Sequence, residues 1–435
     1  MLPYWKFIAA LVLIASGGAG HYFFWPAHAA PVAAITYKTA EESDPYVRFD
    51  MEAFDSMQKN YWKKATDADL ANLFSLSVQK AASATSTLLA SDRSSTAKMI
   101  ANEFAKVTGD AKKQLALQIL IAALYNLPPV GRNQLLSNTQ EKVLRQDVSN
   151  INPSRDLYTD VGASSGATPE ELAAAYKEKK AKLESATSTE AKQQLAQASY
   201  AYKVLTDANT KTRYDQAKVE PTMFMRILGT TLYIYIEKMS PTTMNEFTDA
   251  IQKAEGQKGL DSMIIDLRGN IGGSLDIAPY FVGAFLGQNQ YTFDLFRQDE
   301  FIPARSPITK IDSLAHYRDI AILTDNMSQS TAEVIAAALK KFNIAHTVGT
   351  ATRGWGTVEN TFPLTTSIDA SSTYALLLVH SLTLRDDNQP IEGKGVDPDV
   401  NTADTNWKTK LFSYFRSESL ISALKNNVTK PPLRD

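Results

Sequence analysis

Ser330 opens a segment whose residue types could carry out nucleophilic catalysis. It begins a predicted helix, STAEVIAAALKKF, and a helix N-terminus favours negative charge through its dipole and free N–H groups. A serine hydroxyl attacks near neutral pH only when a base takes its proton. The loop that follows, ATRGWGTVE, offers Arg353, Trp355 and Glu359 but no lysine or histidine. The alternative interpretation of Ser330 is a helix N-cap, the commonest role of a serine at such a position.

A glycine-rich turn earlier in the chain could serve the same chemistry. Residues 264–274, IIDLRGNIGGS, predict a buried strand that ends in a turn. Glycine lets backbone N–H groups approach a ligand closely because no Cβ obstructs them, and an oxyanion hole needs such donors. An ordinary strand-to-helix turn is the alternative interpretation of these glycines.

With two later motifs, these segments resemble the tail-specific, or C-terminal processing, serine peptidases. That family carries, in order, D-L-R-x-N-x-G-G, S-A-S-A-S-E at a helix start, V-G-x-x-T-x-G-K-G-x-V-Q, and a closing G-K-G-[VI]-x-P-D. The matching residues are Asp266, Leu267, Arg268, Asn270, Gly272 and Gly273; Ser328, Ser330 and Glu333; Val348, Gly349, Thr352, Gly354, Gly356 and Val358; and Gly393, Lys394, Gly395, Val396, Pro398 and Asp399. The resemblance covers residues 221–425, with a weaker echo over residues 61–80.

This resemblance implies a role for each matching position. Ser330 takes the place of the nucleophile. The N–H of Gly272 or Gly273, with the N–H of Thr331, takes the place of the oxyanion-hole donors. The family's base is a lysine kept neutral by desolvation, and its place here is held by Trp355.

Both usual routes to an activated serine are therefore missing from the sequence. Glu359 stands where the family has a glutamine that orients the lysine. Tyr235 stands where some relatives have a histidine on the first core strand. An indole is not a base, and a phenol with a pKa of about 10 is a poor one.

Other side chains could substitute for the missing base. His380 with Glu359 is the most plausible pair, because a histidine beside a carboxylate can activate a serine. The alternative interpretation of His380 is a histidine satisfied within a sheet. Lys394 belongs to the closing motif and has its own place in active relatives. Lys340 and Lys341 lie about 15 Å down the helix from the serine, which is too far for a hydrogen bond.

Strands alternate with helices from Pro221 onward, which predicts a sheet covered by helices. The predicted strands are TTLYIYIEKM, SMIIDLR, DIAILTD, AHTVGT and YALLLVHSLTL. The predicted helices are PTTMNEFTDAIQKAEG, STAEVIAAALKKF and an amphipathic tail, TNWKTKLFSYFRSESLISALKN. The family resemblance implies an α/β fold with a crotonase-like ββα core, placed at residues 219–435 and including the C-terminal helix.

The N-terminus predicts export. Lys6 precedes an apolar run, Phe7–Trp25, and Ala27-His28-Ala29 has the small-x-small form of a cleavage site. Residues 1–30 are therefore predicted to be a removable signal peptide or, since the run is nearly long enough to span a bilayer, a membrane anchor. Either way, the rest of the chain is expected outside the cytoplasm, periplasmic or secreted. A polar linker follows at residues 31–45.

Two helical regions precede the core. Residues 46–150 show the apolar spacing of helices. Residues 151–218 resemble a J domain, inserted as a small all-α unit where the peptidase family usually has a PDZ domain. The residues that match the J-domain pattern are Asp156, Tyr158, Ala167, Glu171, Leu172, Ala175, Tyr176, Ala201, Tyr202, Val204, Leu205, Thr206, Asp207, Arg213, Tyr214 and Asp215. Thr168 and Glu171 are spaced as a capping box with Pro169 in the first helical turn.

The J-like segment lacks the family's His-Pro-Asp tripeptide, which stimulates an ATP-driven chaperone. Glu184-Ser185-Ala186 stands in its place. This replacement and the predicted export argue against a co-chaperone. We expect instead a helical hairpin that packs or that docks a protein partner.

Composition narrows the function further. The chain of 435 residues has a formal net charge of −2, which gives no reason to expect nucleic acid as a partner. It has no cysteine and five histidines, so we expect neither a metal site nor a cofactor. Two hypotheses remain: an exported serine endopeptidase that acts on polypeptide tails, and an inactive homologue that binds polypeptide or serves as a scaffold. In both, contact with a membrane is expected only through the N-terminal segment.

Overall fold

The computed structural model describes residues 37–83, 87–185 and 188–434. The chain divides into two compact units. The first unit comprises Met1–Glu141, Leu295–Ile302 and Thr357–Leu382, and the second unit comprises Lys142–Asp294, Pro303–Gly356 and Thr383–Asp435. The predicted leader, residues 1–30, lies outside the described residues. Within the ranges that are described, no helix has the length and apolar character needed to cross a membrane.

Four helices form the larger part of the first unit. They are α1 (Pro45–Asn60), α2 (Asp67–Ala82), α3 (Arg93–Phe104) and α4 (Asp110–Asn126), and a short 3-10 turn, Ala40–Ser43, precedes them. Polar N-caps start three of them: the side chains of Asp44, Thr66 and Asp92 accept hydrogen bonds from first-turn N–H groups. Their apolar faces share one core with sheet residues such as Leu376 and Leu378.

Asp50 is a charged residue type inside this helical core. It lies on α1 and is 0% exposed. Neither of its carboxyl oxygens has a hydrogen-bond partner among the described residues. Burial raises the pKa of Asp50 well above its ordinary value, because the low-dielectric interior disfavours the charged form.

A five-stranded sheet completes the first unit. β1 (Gln134–Ser137) and β9 (Thr357–Pro363) each pair antiparallel with β10 (Tyr374–Thr383). The sheet continues from β10 to β5 (Tyr291–Arg297) and β6 (Glu300–Arg305). The β9–β10 register shifts between Val379 and Ser381, so His380 lies in a bulge.

The second unit begins with helices. After α5 (Asn138–Val148), the J-like segment forms α6 (Leu157–Val161), α7 (Pro169–Glu184), α8 (Thr189–Thr206) and α9 (Ala208–Ala217). These four helices enclose their own apolar cluster, which includes Tyr158, Leu172 and Leu205. The capping box of Thr168 and Glu171 is confirmed, with Pro169 at the first helical position. The J-domain resemblance itself stays a prediction, as do the domain boundaries drawn from sequence.

The six-stranded sheet of the second unit carries the predicted core. Its order is β11 (Val400–Asn401), β8 (His346–Gly349), β7 (Asp319–Thr324), β4 (Ser262–Asp266), β3 (Thr231–Ile236) and β2 (Met223–Leu228). All neighbours are parallel except β2 and β3. The helices that join or follow these strands are α10 (Thr243–Glu255), α11 (Ile277–Leu286), α12 (Thr331–Lys341), α13 (Trp407–Tyr414) and α14 (Glu418–Asn427), and a 3-10 turn covers Asp312–His316. The expected α/β fold with a helical N-terminal region is confirmed.

The structure also corrects two sequence expectations. The C-terminal segment is two helices and not one, because Phe415 is extended and Ser417 starts α14 as its N-cap, accepting from the N–H of Leu420. The segment predicted as helical at residues 46–150 contains strand β1, whose four residues pair with β10. Such a short strand has no periodicity that a sequence could reveal.

Hydrogen bonds hold the C-terminal tail, the residues that follow α14, against the end of β4. The Arg268 guanidinium, with 7% of its side chain exposed, pairs with Asp266 and donates from Nη1 to the carbonyls of Asn427, Val428 and Lys430. The carboxylate of Asp266 also accepts from the hydroxyl of Tyr233, which in turn accepts from the N–H of Leu433. The last turn of α14 is thereby tied to the strand end that leads into the glycine-rich turn.

Candidate active site

Ser330 lies at the N-cap of α12, at the carboxyl edge of the parallel sheet. Its φ of 58° and ψ of −125° fall in a region that residues with a Cβ rarely adopt, so the backbone here is strained. The Ser330 carbonyl accepts from the N–H of Glu333 at 2.8 Å, which starts the helix. The side chain is half-buried, at the mouth of the first helical turn.

The glycine-rich turn lies directly against this serine. A Cβ on Gly272 would lie 2.6 Å from the Cβ of Ser330 and 3.1 Å from its Oγ. A Cβ on Gly273, which has a φ of 136°, would lie 2.0 Å from the carbonyl oxygen of Met239. Only glycine fits at either position. The structure thus brings together the two segments that the sequence paired.

The two candidate glycine donors differ in the hydrogen bonds found for their N–H groups. The N–H of Gly272 donates to the side-chain oxygen of Asn270 at 2.8 Å, within the turn. Its carbonyl accepts from the N–H of Met239 at 2.9 Å. This bonding favours Gly273 as the oxyanion donor. Thr331 begins α12, where the first N–H groups have no partner within the helix, and its hydroxyl donates to the Gly273 carbonyl at 3.2 Å.

Glu333 connects the serine to the loop that carries Trp355. Its carboxylate is 0% exposed. One oxygen accepts from the backbone N–H groups of Ser330 and Trp355, each at 2.8 Å. The other accepts from the N–H of Gly354 at 2.7 Å and the hydroxyl of Thr352 at 2.5 Å. Burial raises the pKa of the Glu333 carboxyl, and the four donated hydrogen bonds oppose that rise because they stabilise the anion.

Trp355 therefore sits close to Ser330, as the resemblance implies for the residue in the lysine's place. Its side chain is half-buried. The glycines on either side let the closing motif approach: a Cβ on Gly354 would lie 2.9 Å from the N of Lys394, and one on Gly356 would lie 2.2 Å from the N of Glu392. Lys394 itself is exposed.

The two lysines of α12 are engaged elsewhere. Lys340 Nζ donates to the carbonyl of Asp397 at 2.9 Å. Lys341 Nζ donates to the side chain of Asn388 at 2.7 Å. Both lie in the last turn of the helix, whereas Ser330 caps its first. These contacts agree with the expectation that neither reaches the serine.

Tyr235 offers no base either. It is 2% exposed on β3, and burial raises its pKa above the ordinary phenol value. The Arg434 guanidinium lies 5.6 Å from its ring centroid. A phenol whose pKa is raised in this way carries even less phenolate near neutral pH, and only the phenolate could take the serine proton.

His380 and Glu359 belong to the first unit, whereas Ser330 and Trp355 belong to the second. The His380 ring contacts the hydroxyl of Ser381 at 2.8 Å, and burial, with a smaller effect of the Arg297 charge, lowers its pKa to about 4. Glu359 accepts from the hydroxyl of Thr357 at 2.5 Å. His380 is therefore neutral at pH 7 but a poor proton acceptor.

Among the described residues, no group of three or more acidic or histidine side chains could hold a metal.

Comparison with known proteins identifies the class of this site. The model of the family described as Peptidase family S41 matches residues 230–402. A "Probable CtpA-like serine protease" of Staphylococcus aureus strain N315 is 34% identical over 174 residues, which are 40% of this chain and 33% of the relative. The protein of the same description from Staphylococcus saprophyticus is 32% identical over 166 residues, 38% of this chain and 32% of the relative.

Solved structures of low sequence identity were also found. One is the "Photosystem II D1 C-terminal processing protease", with a TM-score of 0.48, 12% identity and coverage of 83% of this chain and 93% of that one. Another is a lipoprotein from Streptococcus agalactiae, with a TM-score of 0.46, 13% identity and coverage of 88% and 99%.

The α/β core that carries this site, residues 230–402, is the part of the chain that matches peptidase family S41. This core is thus of the tail-specific, or C-terminal processing, serine peptidase family. It matches about a third of the length of the curated relatives.

Sequence reasoning missed the groups that hold the site together. Glu333 was noted only as part of a motif, and its bonds to two loops could not be inferred from spacing. Asp325 Oδ1 accepts from the N–H groups of Gly269, Met327 and Ser328. The sequence signal that would have indicated this role is an aspartate between a buried strand and a helix start, a position where aspartate often binds backbone N–H groups of its own loop.

Proposed function

We propose that this protein binds extended polypeptide at the Ser330 site and is disarmed as a peptidase. Ser330 keeps the position of the nucleophile, and Gly273 with Thr331 keeps the position of the oxyanion donors. The side chain in the place of the base is the indole of Trp355, and Lys340 and Lys341 of the same unit are bonded elsewhere. The bound polypeptide is therefore held and not cleaved.

The observation that supports this proposal is the shared carboxylate of Glu333. Because its Oε2 accepts from both Ser330 N and Trp355 N at 2.8 Å, the residue in the base's place is fixed beside the serine. That residue carries an indole, which takes no proton in water near pH 7. The loss of one member of such a catalytic set costs several powers of ten in rate.

Restoring the amine tests the proposal. Trp355→Lys should create cleavage of unstructured polypeptide that the wild type lacks, because a desolvated lysine can take the serine proton. The measurement is release of fluorescence from a quenched peptide library by both proteins. Gain of activity in the variant, absent from Trp355→Lys with Ser330→Ala, supports a disarmed site.

A lysine in the wrong place is the matched control. Asn326→Lys puts the same amine on an exposed position of the neighbouring loop and should create no activity. Turnover by the wild type that depends on Ser330 would overturn the proposal. Failure of wild-type protein to bind any unstructured polypeptide would overturn its binding half.

A second candidate is an active serine endopeptidase. The strained backbone of Ser330, with a φ of 58°, favours it, because such strain persists at catalytic residues. It requires a base from outside the groups described around the serine. A fluorophosphonate probe distinguishes the two: stoichiometric labelling of Ser330 in the folded wild type, matching the rate of an active relative, would support the endopeptidase.

Location and partners are part of the same proposal. We place the protein outside the cytoplasm on the strength of the N-terminal sequence, and we assign to the J-like helices a docking role toward a protein partner. Cell fractionation of the full chain tests the first assignment. Deletion of the J-like segment with retention of peptide binding but loss of a co-purifying protein tests the second.

A further inference from the structure

A set of aromatic and aliphatic side chains lies together on the surface of the first unit. We call this set the aromatic strip, and its members are Trp62, Tyr125, Val130, Phe296, Phe301 and Ile302. Phe301 is 60% exposed and Val130 is 61% exposed, whereas Trp62 and Phe296 are half-buried and pack on the core of the unit. Single exposed apolar residues need no explanation, but a group of large ones indicates an interaction site.

Ring contacts join one half of the strip. The ring centroids of Trp62 and Phe296 lie 6.5 Å apart, and those of Phe296 and Phe301 lie 5.3 Å apart. Ile302 follows Phe301 on strand β6 and is also exposed. The indole of Trp62 thus leads without a break to the exposed end of the β5–β6 pair.

A loop joins the other half. Trp62 Nε1 donates to the carbonyl of Pro128 at 3.3 Å, two residues before Val130. Gly131 N donates to the carbonyl of Tyr125 at 3.0 Å, and a Cβ on Gly131 would lie 3.8 Å from the Tyr125 ring. The exposed side chains on both sides of Trp62 therefore form one continuous surface.

Positive charge borders this surface. Residues 59–64 and 296–302 together have a net charge of +2, from the basic residues Lys59, Lys63, Lys64 and Arg297 and the acidic residues Asp299 and Glu300. Lys64 and Asp299 pair with each other at 3.2 Å. Lys59 and Lys63 are exposed on either side of Trp62. Aromatic rings flanked by lysines are typical of surfaces that lie at the boundary between a membrane and water.

A protein partner fits the strip less well. Strand β6 is the outer strand of its sheet, so another strand could pair with it. Pro303 in β6 has no N–H, and a proline on an edge strand opposes such pairing. Lysine is depleted in protein–protein interfaces, whereas lysines border this strip. Both features favour a lipid surface.

The predicted leader brings a bilayer within reach of the strip. The apolar run ends at Trp25, and the 12 residues from there to Tyr37 can span about 40 Å at most. Lys38 pairs with Asp55 of α1 at 2.9 Å, so the linker meets the first unit along this helix. Asp55 lies about 8 Å by helical rise from the end of α1, which Trp62 follows by two residues. A leader retained as an anchor would therefore hold the strip beside the bilayer.

We propose that the aromatic strip binds the surface of a lipid bilayer that carries anionic headgroups. Phe301, Ile302 and Val130 enter the boundary between the headgroups and the acyl chains. Lys59 and Lys63 lie against the lipid phosphates. This contact is peripheral, is additional to any contact made by the leader, and does not depend on polypeptide binding at Ser330.

Single fluorescent labels test the proposal in the full chain. Because the chain has no cysteine, Ile302→Cys and Val130→Cys each accept one environment-sensitive dye at a known position. The leader could hold the protein on vesicles by itself, so the readout is quenching of the dye by brominated lipid. With vesicles of phosphatidylcholine and phosphatidylglycerol, both dyes should be quenched. A dye on Phe412→Cys, at an exposed phenylalanine of the second unit, should not be.

Second substitutions in the labelled Ile302→Cys protein assign the contact to residues. Phe301→Ser should lower the ratio of contacting to free label about tenfold, because its exposed ring no longer leaves water. Phe412→Ser is the matched control and should leave that ratio unchanged.

The charge contribution is measured in the same protein. Lys63→Gln should lower the ratio about fivefold on the anionic vesicles and little on phosphatidylcholine alone. Lys98→Gln removes the same charge from another exposed position of the first unit and should have little effect on either.

Each of three results would overturn the proposal. The first is the absence of quenching at both Ile302→Cys and Val130→Cys, and the second is equal quenching at Phe412→Cys. The third is a change in dye emission that needs no vesicles and grows with protein concentration, which would show that a second copy of the chain covers the strip. None of these results bears on the Ser330 site.

Discussion

The backbone N–H groups of Ser330 and Trp355 donate to the same oxygen of Glu333, each at 2.8 Å. Ser330 and Trp355 are thus held by one buried carboxylate. The connection runs through backbone atoms, so it does not depend on the side chain at either position. A substitution of either side chain therefore leaves these two hydrogen bonds possible.

Glu333→Gln should destabilise the protein and weaken polypeptide binding. The substitution puts an amide in the place of a carboxylate that accepts four hydrogen bonds, so at least one buried donor loses its acceptor. We expect a loss of about 2 kcal/mol in the free energy of unfolding, measured by urea denaturation. Glu418→Gln, at an exposed glutamate in the first turn of α14, is the control and should change stability little. Equal stability of the two variants would contradict the role given to Glu333.

Arg268→Leu should release the C-terminal tail. The change leaves the carboxylate of Asp266, which is 0% exposed, without its cation, and it frees the carbonyls of Val428 and Lys430. A loss of about 3 kcal/mol in unfolding free energy is expected, together with faster trypsin cleavage after Lys425, which lies in the last turn of α14. Arg226→Leu on the exposed part of β2 should show neither effect. Unchanged cleavage after Lys425 in Arg268→Leu would contradict the role given to Arg268 in holding the C-terminal tail.

Asp50→Asn should stabilise the protein in a pH-dependent manner. The pKa of Asp50 is higher in the folded than in the unfolded state, so between these two pKa values the folded state binds more protons. Wild-type stability therefore falls as pH rises through that window, by about 1.4 kcal/mol per pH unit. The gain from Asp50→Asn should be near zero below pH 3.8 and grow toward neutral pH. Thermal unfolding of both proteins from acid to neutral pH measures it.

An exposed aspartate of the same unit provides the comparison for this pH series. Asp110→Asn, at the start of α4, should give a difference from wild type that varies little over the same pH range. A gain from Asp50→Asn that stays constant with pH would show that Asp50 is not the ionisation responsible.

His380 should titrate near pH 4 and not near neutral pH. Burial is the main cause of the lowered pKa, and the positive charge of Arg297 adds to it. Arg297→Gln should therefore raise the midpoint, whereas Arg305→Gln on exposed strand β6 should leave it in place. Proton NMR of the imidazole against pH gives both values. A wild-type midpoint near 6.5 would restore His380 as a candidate base.

The core could be predicted from sequence because its signals are strong and local. Strand β4 is buried on both faces and reads as an apolar run, and α12 has an apolar face that begins at a serine. Strand β6, by contrast, is largely exposed, and β11 has two residues, so neither shows a pattern. The break before Ser417 depends on one extended residue and one cap inside a continuous amphipathic pattern, which masks it.

The motifs of the site could be predicted, but the bonds that join them could not. The sequence indicates that the turn at Gly272 lies near Ser330 only through the family resemblance. One carboxylate oxygen of Glu333 accepts hydrogen bonds from two residues that are far apart along the chain. The periodicity of a sequence carries no information about such contacts. The unit to which His380 belongs was equally out of reach of sequence reasoning.

Main-chain atoms pack closely around the glycines of the family motifs and leave no room for a larger residue. A methyl group on Gly273 would collide with the Met239 carbonyl, and one on Gly395 would lie 2.5 Å from the carbonyl oxygen of Thr352. Both obstacles are main-chain atoms, present whatever reaction the protein performs. Packing alone therefore requires glycine at both positions, whether or not a chain with this fold hydrolyses peptide bonds.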